Sequence, residues 1–148
     1  MRKQVGAIVL FLLVAVTASW GKSDETVEQL IARADAARPD QQPDLYMRVA
    51  QRELKSATEA YKSDKMEEFR AAVQQIVKFS DSAHSAALHS GKHLKPTEIR
   101  LREIAIHLRD IKLNIAADEQ PGVQDAIDQL EGFRTELLHN MFGSKSNN

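Results

Sequence analysis

The chain has 148 residues, 28% of them charged, with 20 basic side chains against 21 acidic ones and no cysteine. Without cysteine there is no disulfide framework, no thiolate metal site, no cysteine nucleophile and no covalently attached c-type haem. A formal charge of -1, spread evenly along the sequence, gives no basis for a nucleic-acid partner.

The chain opens "MRKQVGAIVLFLLVAVTASWGK": two cations, Arg2 and Lys3, then an apolar run from Val5 to Val16, then small residues. This three-part layout predicts a secretory signal peptide over residues 1–21, cleaved after Ala18 or Gly21. The run is about a dozen residues, short of the roughly 20 a helix needs to cross the hydrocarbon core. A stable membrane anchor after cleavage is therefore not expected, and a secreted or periplasmic location is. Residues 22–148 then form one domain's length of chain, enough for a proper core.

Strand signals are missing and helix signals recur. Breaks at "RPDQQP", "KSDK", "HSGKHLKP" and "DEQPG" predict helices over about 24–37, 44–62, 64–89, 97–117 and 121–142. Asp44 is placed to cap the second, Asp64 with Glu67 has the capping-box pattern for the third, and Thr97 after Pro96 suits the start of the fourth; Gly91 and Gly143 suit helix ends. Apolar residues fall at 3-4 spacing within each long segment. Met47, Ala50, Leu54, Ala57 and Tyr61 form one stripe, and Met66, Phe69, Val73, Ile76, Ser80, Ala83 and Ala87 another. Leu101, Ile104, Leu108, Ile111 and Ile115 form a third, and Val123, Ala126, Leu130, Phe133, Leu137 and Met141 a fourth. The expected fold is all-α: an up-down-up-down four-helix bundle with an additional short N-terminal helix.

The fourth helix carries a second apolar line. With Leu108 set at zero, Ile99, Ile106 and Leu113 lie at roughly 140–180°, on the back of the helix. Three exposed aliphatic side chains need a cover. The expectation is that the first helix lies across them; a homodimer seam or a protein or peptide partner is the alternative use of this surface.

Three of the five histidines fall in "DSAHSAALHSGKH". His84 belongs at the edge of its helix's core stripe, whereas His89 points away, and Gly91 between His89 and His93 reads as the helix terminator. "DSAH" (Asp81, His84) and "ELLH" (Glu136, His139), with Glu53 and Glu103 on the helices between, form a set that resembles in order and level the ligands of ferritin-like di-iron bundles, which would imply a metal centre. By helical angle, however, Glu103, Glu136 and His139 point away from the apolar stripes, so no metal is expected. The stretch "MRVAQRELKSATEAYKSDKMEEFRAAV" is similar in layout to the first hairpin of periplasmic four-helix b-type cytochromes. That likeness would imply haem between Met47 and His139, and His139 again lies off the stripe. "AYKSDKMEEFRAAVQQI" resembles a tetratricopeptide-repeat turn, which would imply a peptide-binding adaptor, but it does not recur at that repeat's period.

No Gly-x-Ser-x-Gly elbow, phosphate loop or strand-mounted carboxylate pair is present. The serines near His84 are the small residues that let helices approach. The expectation is a non-enzymatic, cofactor-free exported binding or structural module; the alternative is a metal- or haem-binding bundle with a redox or storage role.

Overall fold

A computed structural model describes residues 25–143. Among them the chain is all-helical, with no strand: α1 (Val27–Ala36), α2 (Gln42–Lys62), α3 (Met66–Ser90), α4 (Leu94–Asn114) and α5 (Gln120–Phe142). The predicted signal peptide lies outside the described residues. No described helix is long and apolar enough to cross a membrane.

The helix ends show which local signals act. The capping box is on α1: the Thr26 hydroxyl accepts from the Gln29 N–H at 3.2 Å, and the Gln29 side chain accepts from the Thr26 N–H at 3.0 Å. The box expected from Asp64 and Glu67 does not form. Asp64 instead takes a left-handed conformation, φ 56°, in the turn after α2, and Lys65 becomes the N-cap of α3. A short carboxylate side chain tolerates that region better than most residues do. Asp44 likewise lies inside α2, which begins two residues earlier with Pro43 in its first turn. Gly91, φ 66°, ends α3 as glycine commonly does.

The fourth helix is shifted three residues toward the N-terminus relative to expectation. His93 turns the chain with φ 59° and α4 starts at Leu94, so Pro96 falls in the first turn, where its missing N–H costs nothing. Thr97 is then a buried helical residue and not a cap. At the other end Ile115 is extended, φ -89° and ψ 157°, which stops the helix and turns the side chain into the core at 8% exposure.

The four stripes supply the core. Met47, Phe69, Ile76, Leu101, Ile104, Leu108, Leu130 and Leu137 are all at most 1% exposed. Positions beside the stripes, Val49, Phe79, Ala105 and Ile127, are buried too, because each of these helices meets more than one neighbour. The most extensive packing is α2 on α3, then α4 on α5; α3 also packs on α5, and α4 touches both α2 and α3, while α2 and α5 do not pack together.

The short helix α1 rests on α2 alone. It buries Leu30 and Ala34 and is pinned by Tyr46, whose hydroxyl donates to Asp35 Oδ1 at 2.7 Å, and by Gln42 Nε2, which donates to the Ala34 carbonyl at 3.3 Å. Burial, then the bond to Asp35, pushes the Tyr46 hydroxyl up to about 12. The expectation that the first helix covers Ile99, Ile106 and Leu113 is therefore overturned. Ile106 stays 49% exposed and Leu113 79%, with Ile99 half-buried. Instead α1 docks on α2, held there by the Tyr46–Asp35 and Gln42–Ala34 bonds, and Val49, off the main stripe of α2, is fully buried.

Candidate functional site: a cationic face around helix α2

Three contiguous clefts lie along the N-terminal half of α2. One, of about 520 Å³, is bounded by Glu25 and Leu30 from the α1 side and by Arg48, Gln51, Arg52 and Lys55 of α2. A second, of about 590 Å³, joins it at Arg48 and runs past Leu45, Ala36 and Arg33 to His93. A third, of about 440 Å³, joins at Gln51 and crosses to Lys95, Pro96, Ile99, Arg100 and Glu103 of α4. So α1 and α4 flank α2, and its outward residues form the strip between them.

Charge on this face is one-sided. Six Lys and Arg side chains line the three clefts against three carboxylates, Glu25, Asp44 and Glu103, whereas the chain as a whole is near neutral. The carboxylates neutralise only part of the excess. Asp44 is shared, accepting from Arg100 at 2.7 Å and facing Arg48 at 3.6 Å, and Glu25 holds Arg33 at 3.2 Å. The Arg52 guanidinium donates to the Glu25 main-chain carbonyl, which carries no compensating charge. Among the described residues, Lys55 and Lys95 have no carboxylate within ion-pair distance. Composition hides this face because its cations come from three helices, and the carboxylates beside them, with the exposed Glu59 one turn beyond Lys55, offset only part of their charge.

Apolar side chains border the strip. Leu30, Leu45, Pro96 and Ile99 line the clefts, and Ile99 begins the aliphatic line that continues through Ile106 to Leu113. The far end of that line leaves the cationic region: Leu113 is level with Tyr61, whose hydroxyl donates to the Asn114 carbonyl at 3.3 Å, at the C-terminal end of α2.

The histidine region is arranged differently. His84 is 6% exposed, lies over the Phe133 ring with centroids 4.9 Å apart, and places Nε2 3.0 Å from Glu136 Oε2 and Nδ1 3.7 Å from Asp81 Oδ1. The approach to Glu136 is out of line for a hydrogen bond, so neither ring nitrogen has a hydrogen-bond partner, and the neighbouring Ser80 hydroxyl, fully buried, has none either. The structure thus brings Asp81, His84 and Glu136 together, with the two carboxylates on opposite nitrogens of one ring. A metal on either nitrogen would have one carboxylate beside it. Among the described residues no group of three or more His, Asp or Glu could hold a metal ion. His139 lies apart on the exposed side of α5, where its ring covers Gly143, and Met47 is sealed in the core.

Two polar features escape a reading of single stripes. Glu98 is 8% exposed because Arg134 of α5 reaches across to it, and Arg70 of α3 holds Glu119 through Nε at 3.0 Å and Nη2 at 2.7 Å. Each pair joins two helices, so neither has a spacing signature within one helix. No protein-family model, no curated protein and no solved structure matches this chain.

Proposed function

We propose that this is an exported, non-enzymatic helical binding module that recognises its partner through the cationic face of α2 and the flanking surfaces of α1 and α4. The observation that carries the reading is the local excess of positive charge, bordered by aliphatic side chains, in three joined clefts. Side chains that served only solubility would be interspersed with opposite charge. Here Arg52 and Lys55 in one cleft and Lys95 in another have no carboxylate within ion-pair distance among the described residues, a state that a complementary partner would relieve.

The scaffold for this face is an up-down-up-down arrangement of α2 to α5 with α1 outside. Short links reverse the chain between successive helices, and the pairs Asp44–Arg100 and Tyr61–Asn114, near the two ends of α2 and α4, have those helices running the same way. In this arrangement α3, not α2, lies beside α5. Export rests on the leader-like first 21 residues.

The experiment is a solution titration of isotope-labelled mature protein, following backbone amides while a partner or probe is added. Perturbation centred on Arg48 to Lys55 is expected, and perturbation confined to α5 would refute the assignment of the site. Absorbance and metal analysis of protein from its native compartment separates this reading from a metal- or haem-binding bundle: a stoichiometric metal or a Soret band would overturn it.

A further inference from the structure

We infer that the occupant of this face is an acidic amphipathic helical segment of a protein partner, with carboxylates at i, i+4 and i+7. The inference rests on the binding reading above and adds the partner's chemistry to it. Arg48, Arg52 and Lys55 stand at that same spacing, on one face of α2 over about 10 Å of helix. A helix laid along the strip between α1 and α4 presents three carboxylates to them in register. Its adjacent apolar residues meet the half-buried Leu45 on one side and Pro96 and Ile99 on the other. Gln51, in the middle of the strip, supplies an amide for the partner's polar positions.

An anionic membrane surface offers the same charge and fits less well. Membrane contact wants cations and protruding aliphatics at one level. Here the most exposed aliphatic, Leu113, is at the opposite end of α4 from Lys95 and next to the exposed Asp110 turn, while Glu25, Asp44 and Glu103 inside the clefts would meet lipid phosphates. A peptide can place neutral or basic residues opposite those three carboxylates; a lipid surface cannot choose.

The test uses the mature full-length protein and four probes: a helical peptide with glutamates at i, i+4 and i+7, a peptide of the same composition with the glutamates dispersed around the helix, the lysine analogue of the first, and vesicles containing anionic phospholipid. The in-register acidic peptide is expected to bind at least about tenfold more tightly than the dispersed one, with salt-sensitive affinity. Amide shifts should centre on Arg48 to Lys55. The triple variant Arg48→Glu, Arg52→Glu, Lys55→Glu, checked by circular dichroism for an unchanged fold, should reverse the preference toward the lysine peptide. Equal binding of the two acidic peptides would overturn the helical register, and preferential binding of vesicles would overturn the protein partner. Binding of the lysine peptide to this face of the unmutated protein would overturn the acidic partner while leaving the binding-module reading intact. No shift with any probe would overturn the inference, and shifts confined to α5 would overturn both.

Discussion

Arg134 on α5 donates from Nε at 2.9 Å and from Nη2 at 2.6 Å to the same oxygen of Glu98 on α4, and its Nη1 donates to Glu131 one turn earlier at 2.6 Å. Both members are largely removed from water, at 17% and 10% side-chain exposure. Burial alone would lower the Arg134 pKa, but its two carboxylate partners outweigh it and the value is raised. Glu98→Ala should therefore cost about 2–4 kcal/mol, because it leaves a buried guanidinium short of a partner. Denaturant unfolding of the variant checks this; a change under about 0.5 kcal/mol would show that Glu131 alone suffices.

Ser80 presents the opposite case. Its hydroxyl is fully buried without a hydrogen-bond partner. Ser80→Ala removes an unsatisfied polar group at little cost in packing, so stability should stay level or rise by about 1 kcal/mol. A loss above about 1 kcal/mol, measured by the same unfolding curves, would mean that the hydroxyl is bonded in solution.

Leu108, at 0% exposure in the middle of α4, should cost about 2–5 kcal/mol when changed to alanine. His139→Ala, on the exposed side of α5, should cost under about 0.5 kcal/mol. Comparable losses at the two positions would mean that the buried faces are misassigned.

Two glutamates pull the acid limb of stability in opposite directions. Glu53 has its pKa raised, by burial and then by the charge of Glu28, so its contribution is fully present below the unfolded pKa and lost as pH rises through the folded value. Glu119 has its pKa lowered by hydrogen bonds from Arg70, so its contribution is present above the unfolded pKa and lost as pH falls through the folded value. Thermal midpoints measured from neutral pH down to the ordinary glutamate range should show Glu53→Gln more stable than the parent near neutrality, with the difference vanishing on acidification. Glu119→Gln should be less stable near neutrality and converge with the parent at low pH. Parallel curves for parent and variants would refute both assignments.

Because α1 docks on α2, deleting residues up to Ala37 should uncover Val49 and Leu45 and leave Ile106 and Leu113 as exposed as they already are. The truncated protein is expected to bind a hydrophobic dye more strongly than the parent, and adding Ile106→Glu should not reduce that gain. Suppression of the dye signal by Ile106→Glu would put α1 on the back of α4 after all.

The sequence by itself determined the all-helical class and most of the core. A 3.6-residue period fixes which side chains share a face before any neighbour is known, and every large member of the α4 stripe, Leu101 to Ile115, is buried. Gly91 was equally legible, since a helix end in the left-handed region favours glycine whatever lies around it. Capping was less so: Thr26 and Gln29 carried a box that needs only local geometry, yet Asp64 and Glu67, with the same pattern, did not form one, because the turn between α2 and α3 required a left-handed residue at Asp64. What only the tertiary structure decided lies between helices. Periodicity gives the direction of a face and not the identity of the neighbour, so the resting place of α1 and the burial of Glu98 under Arg134 were outside its reach, and helical angle alone turned Glu136 away from His84, which the di-iron likeness had set at the same level. The cationic face belongs to the same class: its charges come from α1, α2 and α4, and only their packing makes one surface of side chains that the composition records as balanced.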